Sequence, residues 1–177
     1  MRRLLITTLC LSLVSLASLG AAETSTSPEA KLAALGLTLP VTNSPIANYV
    51  PAVRAGNLVF LSGHLPYDAE GKVIAGKVGK DTDEKTAHAA ARTTALALLA
   101  SLKKEIGDLS KVKRIVKVSG FVNGTADFTA QPAVMNGCSD LLVAVFGDRG
   151  KHARAALGMA SLPRGAVVEI EMIVEVQ

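Results

Sequence analysis

Apolar positions along this chain recur at helical spacing in two long stretches and alternate or run together in several shorter ones. Ala87, Ala91, Ala95, Leu98, Leu99, Leu102 and Ile106 repeat every three or four residues, which predicts an amphipathic helix from about Thr82 that Gly107 ends. Asp83 and Glu84 open it, at the end of a helix where negative charge is favourable. The small residues on its apolar face suit close packing against a sheet. A second helix is predicted from Pro132 to Phe146, with Val134, Leu141, Leu142, Val145 and Phe146 turned inward and Gly147-Asp-Arg-Gly150 closing it. A shorter one, from Pro28 to Leu35, stops at Gly36.

The strand patterns lie between these helices. Tyr49 to Arg54 and Leu58 to Ser62 read as two strands joined through Gly56-Asn57, a hairpin-type turn pair. A third, weaker strand is predicted near Lys72 to Ile74, and a long one that alternates over residues 112–123. The last 25 or so residues read as two more strands joined by a tight turn at Pro163-Arg164-Gly165, a terminal hairpin. In that hairpin Arg154 enters on the first strand and Glu169 faces back from the second, a cation and an anion a few ångströms apart. The order βββαβαββ argues for an α+β fold, a sheet with two α-helices packed on one face. No repeat or low-complexity segment interrupts it.

The N-terminus changes the picture of where the chain works. Met1-Arg2-Arg3, an uncharged run from Leu4 to Leu19 and Gly20-Ala21-Ala22 before Glu23 form the basic, apolar and small-residue parts of a secretory signal peptide. Cleavage is expected after Ala22, giving a periplasmic or secreted protein. The run is interrupted by Ser and Thr and is shorter than the roughly 20 residues a membrane-spanning helix needs. The chain thus divides into a signal peptide at 1–22, a polar leader with a possible short helix at 23–44 and one domain at 45–177. Loss of Arg2 and Arg3 lowers the formal charge from +4 to +2. With no Trp, two Tyr and four Phe, nothing resembles a basic, aromatic nucleic-acid surface, and no nucleic-acid partner is expected.

Of the two cysteines, Cys10 leaves with the signal, so Cys138 has no intramolecular partner. It sits in an apolar helical pattern with no adjacent charge to favour a thiolate, and reads as a buried small hydrophobe. There is no phosphate-binding Gly-rich loop, paired-histidine metal motif or nucleophile elbow. His64, His88 and His152 are scattered and read as structural or surface residues; no metal and no cofactor are expected. Taken alone, Arg154 among alanines reads as a salt-bridged structural residue more readily than as a ligand clamp. Glu169 and Glu171 share one strand face. Glu171 reads as part of a solvated edge, and Glu169 as a partner for Arg154 or for a ligand.

Residues 45–177 nevertheless resemble the RidA/YjgF family, also called endoribonuclease L-PSP, whose fold is chorismate-mutase-like with a mixed sheet. The resemblance is carried by Ile46-Ala-Asn-Tyr49-Val, the run Gly56 to Pro66, Val116-Lys-Val-Ser-Gly-Phe121-Val-Asn, Asp127-Phe128, and above all Arg154 with Ser161-Leu-Pro163 and Glu169-Ile-Glu171. Asn136-Gly-Cys-Ser-Asp140-Leu-Leu before Val145-Phe-Gly is similar to one subgroup. The resemblance implies a homotrimer with sites between subunits and hydrolysis of small enamine or imine acids to 2-keto acids and ammonia. Carried over, Arg154 clamps the substrate carboxylate, Glu169 orients or activates the water, Tyr49 lines the pocket, and Ser62 and Gly63 form a wall. Ala156 and Pro132 depart from the deaminase pattern, which often has a cysteine and an asparagine there. A trimer that binds a small carboxylate-bearing metabolite without chemistry is the alternative, and an endoribonuclease a weaker one.

Overall fold

In the computed structural model residues 27–42 and 48–177 are described. The predicted signal peptide and its cleavage point lie outside them. Eight main elements follow in order: α1 (Pro28–Ala34), β1 (Ala52–Ala55), β2 (Leu58–His64), α2 (Glu84–Ile106), β3 (Val112–Asn123), α3 (Gln131–Phe146), β4 (Ala153–Met159) and β5 (Val168–Val176). The helix ends follow from local chemistry. Ser27 Oγ accepts the Ala30 N–H at 3.1 Å to start α1. Asp83 does the same for Thr86 at 2.7 Å to start α2, satisfying an N–H that has no partner inside the helix. Gly107, with φ 84°, ends α2 in the left-handed region that a side chain disfavours.

The five strands form one mixed sheet in the order β1-β2-β5-β3-β4. β5 is central and antiparallel to both neighbours, while β3 and β4 run parallel. Val168, Ile170, Met172, Val174 and Val176 alternate into the core and are fully buried or nearly so. Helices α2 and α3 cover that face. Their contact is close because Ala87, Ala90, Ala91 and Ala95 are small and buried, and because position 137 is glycine: a Cβ there would collide with the His88 carbonyl. Among the described residues no helix is long and apolar enough to cross a membrane.

Three expectations are corrected. The last two strands do not form a hairpin, because β3 lies between β4 and β5. The physical reason is burial. β5 alternates strongly apolar residues and needs a strand on each side, whereas β4 is largely exposed and rich in small residues, which suits an edge. The helical crossover through α3 makes the parallel β3–β4 pairing possible. The weak third strand near Lys72–Ile74 is reduced to isolated bridges, Tyr67 with Val73 and Ala75 with Ala166. In β3 simple alternation also fails. Bulges between Val112 and Arg114 and between Ile115 and Lys117 shift its phase, so Val112, Ile115 and Val118 all point inward.

Candidate functional site

β2 outruns β1, so Ser62, Gly63 and His64 lie beyond the pairing that ends at Leu61 opposite Ala52. The register of β2 against β5 shifts between Leu61 and His64. This bulge opens a cleft of about 320 Å³ over the end of β2, running from Glu169 on the open sheet face to Ala97 and Ser101 of α2. Tyr49, Ser62, Gly63 and Glu169 all line it. Ser62 is fixed at both ends, its N–H on the Pro51 carbonyl at 3.0 Å and its hydroxyl on the Val50 carbonyl at 2.7 Å. Gly63 has a specific reason to be glycine: a Cβ would occupy the place of the Glu169 carboxylate oxygen Oε1. Only a bare backbone lets that carboxylate lie against β2.

Glu169 is half-buried, and burial first and the neighbouring Glu171 charge second raise its pKa above the ordinary glutamate range. His64 reaches across to α2. Its Nδ1 lies 2.7 Å from the Ser62 carbonyl, which can only accept, so Nδ1 carries the proton. Nε2 then accepts from the Ser101 hydroxyl at 2.7 Å. Burial lowers the His64 pKa more than the backbone bond raises it, so the ring is held neutral.

Arg154 is elsewhere. It pairs with Val118 in the β3–β4 ladder, on the helix-covered face at the free sheet edge, while Glu169 pairs with Phe121 on the open face. The expected pairing of Arg154 and Glu169 across a hairpin is therefore overturned: within one chain a strand and both sheet faces separate them. Nor does Arg154 make a salt bridge among the described residues. Its Nη1 donates instead to the neutral oxygens Asn136 Oδ1 at 2.9 Å and Ser139 Oγ at 3.1 Å, both on α3. Ser139 Oγ is in turn 3.1 Å from His152 Nε2, and His152 Nδ1 is 2.6 Å from the Gly150 carbonyl. Donation runs one way, from Arg154 to Ser139 to His152 to the Gly150 carbonyl. The guanidinium is held in place without being neutralised.

Several contributors were not singled out from sequence. Arg164 and Tyr67 line the cleft with Glu169, and Arg164 follows from the Pro163-Arg164-Gly165 turn that leads into β5. Asn136, Ser139 and His152 acquire a role only once α3 and β4 are adjacent. Cys138, on α3, is fully buried in the core, and burial pushes its thiol up to about 12, the setting of an inert packing residue. Among the described residues no group of three His, Cys, Asp or Glu side chains could hold a metal ion.

Known proteins share this architecture. A sequence model described as "YjgF/chorismate mutase-like, putative endoribonuclease" matches residues 29–176. "Protein TCP17" of Trypanosoma cruzi is 43% identical over 147 residues, covering 82% of this chain and 92% of its own. A 2-iminobutanoate/2-iminopropanoate deaminase of Dermatophagoides farinae is 28% identical over 142 residues, 80% of this chain and 95% of that one. The crystal structure of Atu1372 from Agrobacterium tumefaciens, a protein of unknown function, is 46% identical, with TM-score 0.77 over 84% of this chain and 91% of that one. The five-stranded mixed sheet, the cleft at the end of β2 and the match over nearly all described residues lead to one conclusion: the chain belongs to the YjgF/chorismate mutase-like family, which includes the RidA proteins.

Proposed function

We propose that this protein is an exported RidA-type deaminase that hydrolyses small enamine or imine acids, working as a homotrimer with sites between subunits. The observation that carries the reading is the division of the site residues. Tyr49, Ser62, Gly63 and Glu169 share one cleft, and an unneutralised Arg154 projects from the opposite edge of the sheet. A second copy that brings its Arg154 edge to this cleft completes a site with a carboxylate clamp and a proton-exchanging acid. The open sheet face favours such contact, since Val53, Phe60 and Leu157 on it are 54%, 42% and 51% exposed.

The chemistry follows from those groups. A guanidinium recognises a planar carboxylate through two parallel N–H bonds and orients the imine carbon. Water adds to that carbon, giving up a proton as the C–O bond forms. Glu169, whose raised pKa brings it nearer to neutral pH, accepts a proton from the water and returns one to the nitrogen. A second proton passes from the new hydroxyl group to the amino nitrogen, the carbonyl forms as the C–N bond breaks, and ammonia and a 2-keto acid leave. The relative named a 2-iminobutanoate/2-iminopropanoate deaminase supports the substrate class. Export rests on the N-terminal pattern with cleavage after Ala22, and the domain itself on residues 45–177.

Ala156 and Pro132, at positions where deaminases often carry cysteine and asparagine, favour a second reading: a trimer that binds a small carboxylate without turnover. The deciding experiment uses the chain from Glu23 onward, with 2-iminopropanoate generated in situ by an amino-acid oxidase. The deaminase reading expects accelerated imine loss that Arg154→Ala abolishes. Turnover unchanged in that variant overturns the role of Arg154. No acceleration over solvent hydrolysis, with Arg154-dependent binding of 2-keto acids, selects the binding module.

A further inference from the structure

The cleft contains a cation that the deaminase reading leaves unused. Arg164 is the one residue other than glycine with positive φ among the described residues, at φ 56° and ψ 18°. A long side chain held in the left-handed region carries backbone strain that glycine or asparagine would relieve. Its guanidinium carbon stands 5.8 Å from the centre of the Tyr67 ring, and Nη1 is 3.4 Å from the Tyr67 hydroxyl, a long bond. Among the described residues it pairs with no carboxylate. Asp68 lines the same cleft, but its Oδ1 already accepts the N–H groups of Glu70 and Lys72 at 3.1 and 2.7 Å. Arg164 is therefore oriented by an aromatic face yet retains N–H groups to give to a ligand.

The cleft is also large for a three-carbon acid. Its 320 Å³ falls at the low end of sites that enclose drug-sized molecules, about 300–1,000 Å³. Pro51, Leu65, Ala97 and Pro163 give it apolar walls suited to methylene groups. Two acids, Glu169 and Asp68, would otherwise repel a second negative charge.

We propose that Arg164 and Tyr67 form an anion subsite at the end of the cleft, so that the preferred substrate is a 2-imino dicarboxylic acid of four or five carbons. This rests on the deaminase reading for the imine. Arg154 of a second copy takes the α-carboxylate, Glu169 attends the imine carbon, and Arg164 takes the carboxylate at the end of the side chain.

Calorimetric titration with 2-oxoglutarate and 2-oxobutanoate tests the subsite apart from turnover. Wild type should prefer the dicarboxylate. Arg164→Asn, which tolerates the backbone conformation, should lower the ratio of the two affinities about tenfold, the loss expected when a charge-assisted pair is removed, and Arg164→Lys should keep part of it. A wild type without preference overturns the subsite. So does equal loss for both acids, which would make Arg164 the clamp for the α-carboxylate. In parallel, the imines of glutamate and 2-aminobutyrate are offered to wild type. Turnover without dicarboxylate preference sinks the subsite alone; dicarboxylate preference in binding without turnover sinks the deaminase reading alone.

Discussion

Glu169 sits where its ionised form is disfavoured, against the bare backbone of Gly63 and two residues from Glu171. Folding raises its pKa. Its contribution to stability is therefore fully present below the unfolded glutamate value of about 4.3 and is lost as pH rises through the folded value. At pH 7 the charged carboxylate opposes folding, by an amount that solvent screening keeps small. Glu169→Gln should consequently raise Tm at pH 7, with the gain disappearing near pH 4, while imine hydrolysis falls by about 100-fold or more, the range for loss of a general acid–base group. A Tm at pH 7 below that of wild type would contradict the assignment of strain to this carboxylate. Tyr49, Ser62, Gly63 and Glu169 were readable as candidates from the chain's resemblance to its family. The reason Gly63 must be glycine was not, because it depends on which atom of β5 comes to rest above it.

Helix α3 has two tasks. Gly137 brings it against α2, and one residue before and two after, Asn136 and Ser139 hold the guanidinium of β4. Each hydrogen bond to that partly exposed charge contributes about 1 kcal/mol, or roughly a fivefold effect. If Arg154 clamps the substrate carboxylate as proposed, Ser139→Ala should raise KM for an imino acid about fivefold and change kcat less, since it shifts the guanidinium and leaves Glu169 untouched. Burial first, and the Arg154 charge after it, favour neutral His152, while its bond to the Gly150 carbonyl opposes them more weakly than burial does. Its protonation would take away the acceptor that orients Ser139. Wild-type KM should therefore rise as pH falls below the histidine range, and Ser139→Ala should flatten that rise. An unchanged KM profile in Ser139→Ala would remove Ser139 from the positioning role. Both long helices were legible in the sequence to within a residue or two, because 3.6-residue periodicity and caps are local. The network is not local: Ser139 and Arg154 are 15 positions apart and meet only through the crossover.

At the scale of the molecule, the central strand offers the acid on the open face of the sheet, and the free edge offers the cation on the helix-covered face. If the site is shared between copies, inactive Arg154→Ala and Glu169→Gln chains should rescue each other when unfolded together and refolded. Random assembly leaves about a quarter of the sites with both groups intact. Activity near that fraction of wild type is the expected result, and none at all would place both groups in the same copy or remove one from the chemistry. The sequence by itself determined the helices with their caps, the hairpin of β1 and β2, the α+β class and the residues able to carry chemistry, because these follow from short-range periodicity and from side-chain type. Only the tertiary structure decided that β3 slips between the last two strands, and thereby that Arg154 and Glu169 stand on opposite faces. Two strands adjacent in sequence pair by default unless burial is better served otherwise. Here β5, apolar on its whole inner face, is buried best with a neighbour on each side, and that requirement, spread over the entire sheet, overrides the local turn at Pro163-Arg164-Gly165.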